Sequence, residues 1–273
     1  PAAIVATADA LMARTLSPAL LKSLAVTLRT GEQRDLSALT DQLLAAGYTR
    51  CQQVEGVGQF ALRGGILDVF SPLMERPVRC EFFDDEIDSM GFFDPGTQRR
   101  TENVEAALLL PAAEVLPRQA EGGLEGLGEK LLALAAKLEK KGAVSAAGLR
   151  EDGERLKNGA VPDGLDRYLA AVYPQATAGV HYLPSSALVV LCEAGRVEER
   201  VKGALLQNRQ DLEVLLEAGI LAGDYAKLLL SAEEFYAALE DFPVIMAGAL
   251  PTSRYPFPPQ GLLSVNARQL SSY

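Results

Sequence analysis

The chain has 273 residues, of which 48% are apolar and 23% charged, as expected of a folded protein with one large or two ordinary domains. Its net charge of −10 argues against broad non-specific binding to a nucleic-acid backbone. Three cysteines, Cys51, Cys80 and Cys192, are odd in number and form no Cys-x-x-Cys, so a disulfide framework and a zinc site are both poor readings and reduced thiols fit better.

No signal peptide opens the chain, and no apolar run reaches the roughly 18 residues that mark a membrane helix. Tryptophan is absent and aromatics make up 6%, so aliphatic side chains must build the core. The chain opens with Pro1 directly on "AAIVATADALMARTL" (residues 2–16), read as a buried strand and a helical turn. An abrupt start on a core strand creates the expectation of a fragment of a longer protein. "RDLSALTDQLLAAGY" (34–48) is a predicted helix, with Leu36, Leu39, Leu43 and Leu44 on one face, Asp35 as cap and Gly47 as stop.

From Tyr48 to about Glu105 the apolar period falls to 2. "FALR", "ILDVF", "VRCEFF" and "EIDSMGFF" alternate, separated by turns at Gly64-Gly65, "SPLMERP" and Asp84-Asp85, with "DPGTQ" following, which predicts an antiparallel meander. Gly64-Gly65 reads as a bulge or tight bend that turns Arg63 outward. Helical periodicity returns with Leu124, Leu127, Leu131, Leu134 and Leu138, and "GLREDGERLKNGAVPDGLDRYLAAVYP" reads as further helix with a loop at 159–164. "SALVVLCE" (186–193) is a predicted parallel strand buried on both faces, which would leave Cys192 buried and inert. A long helix follows at 197–221 and another at 233–242, then strands at "PVIMAG" (243–248) and "GLLSVN" (261–266). The expected fold class is mixed α/β: an α/β domain in two pieces, 1–27 and 107–273, interrupted by an α+β module at 28–106.

Motifs for chemistry are weak. "GVGQFA" (56–61) has dinucleotide-like glycines but leads into a strand rather than a helix. Asp84, Asp85, Glu86 and Asp88 are read as hairpin-turn and strand residues before a metal site. His181, the only histidine, is read as an ordinary loop residue, and no Walker A loop or nucleophile elbow occurs. No catalytic, cofactor or metal site is therefore expected.

The basic residues of the meander stand out. Arg50, Arg63, Arg76, Arg79, Arg99 and Arg100 are all arginine, amid eleven acidic residues in the same span. Cross-strand pairing with those acids is the plain reading for several of them. Arginine in place of lysine also suits planar, multi-donor recognition. Alternation in "PVRCEFF" puts Arg79, Glu81 and Phe83 on one face and Val78, Cys80 and Phe82 in the core. An exposed aromatic beside an arginine is the composition of a protein-binding hot spot.

Residues 47–100, "GYTRCQQVEGVGQFALRGGILDVFSPLMERPVRCEFFDDEIDSMGFFDPGTQRR", resemble the module shared by the excision-repair helicase UvrB and the transcription-repair coupling factors. The segment 8–33 lacks the tyrosines of the UvrB hairpin, and "LCEA" at 191–194 resembles an incomplete Asp-Glu-Pro segment, so the resemblance points to the coupling factors. A fragment of UvrB itself, or a nucleotide-binding α/β enzyme, is the alternative. The resemblance implies that the module binds UvrA through Arg63, Arg79 and Phe83, recruiting it where RNA polymerase has stalled. It also implies a non-catalytic fragment of a bacterial cytoplasmic protein, with ATP, magnesium, polymerase and DNA engaged by other parts. Docking of the module onto the parent's own carboxy-terminal domain is a further implied contact. On this reading Arg79→Glu should abolish binding without unfolding the chain.

Overall fold

The structure, a computed structural model, describes residues 3–175, 177–249, 256–263 and 265. The chain opens with two short helices, α1 (Ala8–Met12) and α2 (Pro18–Leu24), and a strand β1 (Val26–Arg29). Helix α3 (Leu36–Ala45) begins where Asp35 Oδ1 accepts the Ala38 amide at 2.6 Å, and it buries Leu39 and Leu43. Gly47, with φ of +85°, turns the chain out of that helix, as its position predicts.

Six strands then form one sheet: β2 (Thr49–Arg50), β3 (Gln59–Arg63), β4 (Ile66–Val69), β5 (Val78–Phe83), β6 (Glu86–Phe93) and β7 (Arg100–Asn103), in that spatial order. All pairs are antiparallel except β2–β3, so the meander is present. The strand β8 (Ala106–Leu109) pairs antiparallel with β1, so the two ends of the segment that carries the sheet are hydrogen-bonded together. The main core lies between α3, the β1–β8 pair and one sheet face, where Leu28, Leu43, Phe60, Leu67, Cys80 and Met90 are buried. On the opposite sheet face a smaller cluster of Val54, Ala61, Phe70 and Phe93 packs under the 51–58 loop.

Gly64 and Gly65 are the two residues of the β3–β4 hairpin turn, with Arg63 paired to Ile66 across it. Gly64 has φ of +60° at the first central position, as turns of the II′ kind require. Of the two readings, bulge or tight bend, the pair is the tight bend, a two-residue hairpin turn, and strand β5 approaches it closely. Phe82 donates its amide to Gly65 O at 2.7 Å, and a Cβ at Gly65 would meet Phe82 O at 2.9 Å. The sheet's own next strand fills the space that glycine leaves.

Beyond the sheet, α4 (Gly123–Glu139) and α5 (Ala146–Lys157) pack together, with Leu127, Leu131 and Leu134 of the predicted stripe buried. Short helix α6 (Leu169–Val172) completes that core. A third core joins α1 to strand β9 (Val189–Cys192), helix α7 (Ala194–Glu217), helix α8 (Ala232–Leu239) and strand β10 (Val244–Ala247). β9 and β10 are parallel neighbours, so the mixed α/β class holds.

Three sequence expectations fail. β9 is not buried on both faces: Leu191 is buried while Val190, Cys192 and Ile245 are exposed, because this two-stranded sheet is packed on one side only. Cys192 is consequently an accessible thiol. Residues 3–7 form no strand, and Ile4 and Val5 stand in solvent, since no strand among the described residues lies beside them. Residues 261–263 and 265 likewise form no strand, and the rest of that expected strand lies outside the described residues. Among the described residues no helix is long and apolar enough to cross a membrane.

Two outcomes follow from these contacts. Gly65→Ala should lower unfolding free energy by roughly 1–3 kcal/mol in a urea titration, because the new methyl meets a ladder carbonyl that cannot move alone. Burial pushes the Cys80 thiol up to about 12. In the folded protein an alkylating reagent should therefore label Cys192 first and Cys80 only after unfolding, as read by peptide mass spectrometry.

Candidate protein-interaction site

Cross-strand register fixes which side chains share the face opposite the main core. The pairs Arg63↔Ile66, Ala61↔Asp68, Ile66↔Glu81, Asp68↔Arg79 and Glu81↔Ser89 run across β3 to β6 on that face. Register then slips between Glu81 and Phe82, so that Phe82 opposes Ile87 and Phe83 opposes Glu86, leaving Asp88 without a partner residue on β5. The predicted alternation survives. Val78 and Cys80 are buried in the main core, Phe82 packs against it, and Phe83 projects outward at 75% exposure. Asp84, with φ of 51°, closes the β5–β6 hairpin directly after Phe83. The Gly64-Gly65 turn lies at the same end of the sheet, because β3 and β5 run in the same direction.

Asp68 organises this face. It is 0% exposed, and its carboxylate accepts three hydrogen bonds from two guanidinium groups. Arg79 is bidentate, donating from Nε to Oδ1 at 2.6 Å and from Nη2 to Oδ2 at 2.9 Å. Arg63 Nη2 donates to Oδ2 at 2.7 Å. Arg79 also donates from Nη1 to Gln98 O at 3.2 Å and lies 4.6 Å above the centre of the Phe93 ring. Its hydrogen bonds to Asp68 hold the guanidinium above its ordinary value. Gln98, with φ of 60°, extends the network by donating from Nε2 to Val54 O and Pro95 O. A second network sits beside it: Arg100 Nη1 donates to Glu81 Oε1 and Ser89 Oγ. Gly91 makes that possible, since a Cβ there would lie 2.3 Å from Arg100 Nε.

The three residues implied by the family resemblance thus share one face but differ in freedom. Phe83 is exposed and Arg63 is half-exposed, with 47% of its side chain in solvent. Arg79 is turned inward, with 16% of its side chain exposed and its donors engaged within the chain. Of the six arginines, Arg63, Arg76, Arg79 and Arg100 pair with acids, so the plain reading accounts for most of them. Arg79→Glu would set a second carboxylate against buried Asp68, so the geometry argues against the expectation that this substitution leaves the fold intact.

Two residues were missed by the sequence reading. Ile66 stands partly exposed between Arg63 and Glu81 in register. Asp68 lies inside the apolar run "ILDVF". The signal was present: alternation in "ILDVF" puts Ile66, Asp68 and Phe70 on one face, and a charge inside an apolar strand requires a partner.

The other candidate groups are engaged within the chain. His181 Nδ1 accepts the Ala178 amide at 3.0 Å inside its own turn. Gln59 Oε1 accepts the amides of Glu55 and Gly56, so the glycine-rich loop is closed by its own side chain before entering β3. A cleft of about 300 Å³ near α5 contains Asp152, whose carboxylate already accepts from Arg167 and Tyr168. Among the described residues, no cluster of three or more His, Cys, Asp and Glu side chains is placed to hold a metal ion.

Comparison with known proteins agrees with the resemblance read from the sequence. Residues 26–114 match the UvrB interaction domain family, which includes the whole six-stranded sheet with α3, β1 and β8. The chain is similar over its full length to a transcription-repair-coupling factor of Bacillus subtilis, at 28% identity across 277 aligned positions and 23% of that protein. A Myxococcus xanthus transcription-repair-coupling factor is 37% identical over 170 residues, covering 60% of this chain and 14% of its own length. One from Staphylococcus aureus (strain USA300) is 30% identical over 80% of this chain and 19% of its own length. The chain spans about a fifth of the length of the curated relatives it matches.

The geometry separates two effects of mutation. Arg79→Glu should destabilise the fold by about 3–5 kcal/mol, since it breaks a buried ion pair and leaves Asp68 facing a like charge. Phe83→Ala should change stability by no more than about 0.5 kcal/mol, because its ring packs on little. Urea unfolding of the two variants checks both.

Proposed function

We propose that this chain, similar along its whole length to part of the transcription-repair-coupling factors and carrying a UvrB interaction domain at residues 26–114, is a non-catalytic docking region for UvrA. It recruits that protein to lesions where RNA polymerase has stalled. The observation that supports this most directly is Phe83: a large aromatic side chain 75% exposed at the tip of a rigid hairpin. An aromatic anchor held in place by hydrogen-bonded strands loses little conformational entropy on insertion into a partner's pocket. Ile66 widens the apolar contact and Arg63 offers a charge-assisted bond to an acidic group. Arg79 contributes by holding the face together rather than by reaching outward.

No metal or nucleotide is needed for such a role. ATP, magnesium, DNA and the polymerase are proposed to be engaged by other parts of a longer protein of this kind. Docking of the same face onto the parent's own carboxy-terminal domain is compatible with UvrA recruitment, since either occupant would cover Phe83.

Calorimetric titration of the 273-residue chain with UvrA tests the reading. Binding is expected, and Phe83→Ala should weaken it by about 2 kcal/mol or more, roughly thirtyfold, with the fold unchanged. Equal affinity of the variant and the parent chain would overturn the assignment of this face.

A further inference from the structure

Arg63 reaches the surface with one arm already committed. Its Nη2 is bonded to Asp68 Oδ2, and among the described residues its Nε and Nη1 make no hydrogen bond. The carboxylate that holds it is fully buried and itself clamped on both oxygens by Arg79. A guanidinium is planar, so anchoring Nη2 on a buried acceptor narrows the directions in which its remaining N–H groups can point. Asp68 therefore does two things for the outer face. It cancels one of two positive charges, and it sets the aim of the donor edge that remains.

We propose that Asp68 is a positioning residue for partner binding: it orients Arg63 so that its free guanidinium edge meets a single carboxylate of the partner beside the apolar surface of Ile66 and Phe83. This rests on the reading of the face as a UvrA-docking site. Asp68 never touches the partner. It acts through Arg63, and Arg79 acts through Asp68. The partner's matching surface is one acidic group next to an apolar pocket, not an extended acidic patch, because of the two guanidinium groups held by Asp68 only Arg63 is half-exposed with unbonded donors.

The test is a double-mutant cycle in the full chain, read by titration with UvrA and corrected for the folded fraction from urea unfolding. Asp68→Asn keeps the shape and an acceptor but removes the charge that fixes both arginines. It should weaken binding per folded molecule by about tenfold, as should Arg63→Ala, and the double variant should be no weaker than either alone, because the two act as one unit. Phe83→Ala should keep its full effect in the Asp68→Asn background. A merely structural Asp68 would lower stability while leaving affinity per folded molecule at the parent value, and that result overturns the proposal. So do Asp68→Asn and Arg63→Ala effects that multiply.

If Asp68→Asn does not fold, Arg63→Lys decides the matter, since that side chain is half-exposed and the buried carboxylate is untouched. A single ammonium drawn to Asp68 lacks the second, outward edge, so Arg63→Lys should bind as weakly as Arg63→Ala. Binding at the parent level would show that charge alone suffices and would overturn the proposal. Failure of the parent chain to bind UvrA removes the functional reading and this proposal together. A normal Phe83→Ala response with independent Arg63 and Asp68 effects removes the positioning role alone.

Discussion

A carboxylate removed from water must find charged or hydrogen-bonding partners or be neutralised, and in this protein Asp68 is that carboxylate. It sits at the middle of a four-residue strand flanked by apolar neighbours, with no exposed surface. Its three hydrogen bonds tie β3, β4 and β5 together across one sheet face. Through Arg79 and Gln98 the same network reaches the loop after β6 and the loop before β3. The face is therefore neither a second hydrophobic core nor a row of free cations. It is a rigid polar layer, and what projects from it has a fixed direction.

That rigidity explains how the opposite requirements of folding and binding coexist on one small sheet. The main core face carries the burial that drives folding, with Phe60, Leu67, Val69, Cys80 and Met90 against helix α3. The other face is half closed by the cluster of Val54, Ala61, Phe70 and Phe93 and half open at the hairpin tips. Phe83 and Ile66 remain on the open half, at the same end as the two turns. Single exposed apolar residues are ordinary on protein surfaces. An aromatic one on a hydrogen-bonded hairpin, flanked by a guanidinium with an unoccupied edge, combines features that favour recognition.

The remainder of the chain packs into two further cores of its own. Its ionisable groups are mostly paired locally, as with Asp152, Arg167 and Tyr168. The β9–β10 pair keeps one apolar face in solvent, which distinguishes it from the large sheets of nucleotide-binding enzymes, whose parallel strands are covered on both sides. Helix α1, at the start of the chain, packs with elements that lie beyond residue 177, so the sheet-bearing segment emerges from between parts that pack with each other.

Much of this was legible in the sequence because it depends on local chemistry. Period-2 alternation in "VRCEFF" sorted Val78 and Cys80 from Arg79, Glu81 and Phe83, since successive side chains of a strand must point to opposite faces. Asp35, Gly47 and Gly64-Gly65 marked a helix start, a helix stop and a turn because their side chains, or the lack of one, satisfy specific backbone geometries. The family resemblance added the expected partner. Tertiary structure alone decided the rest. Whether "AAIVAT" and "GLLSVN" become strands depends on a neighbour to bond to, and whether Cys192 is buried depends on what covers β9. The freedom of each arginine was likewise undetermined, because an ion pair between Arg79 and Asp68 needs the β4–β5 register to bring them opposite one another. Alternation is a property of one strand, but the partner of a charge is a property of how strands meet.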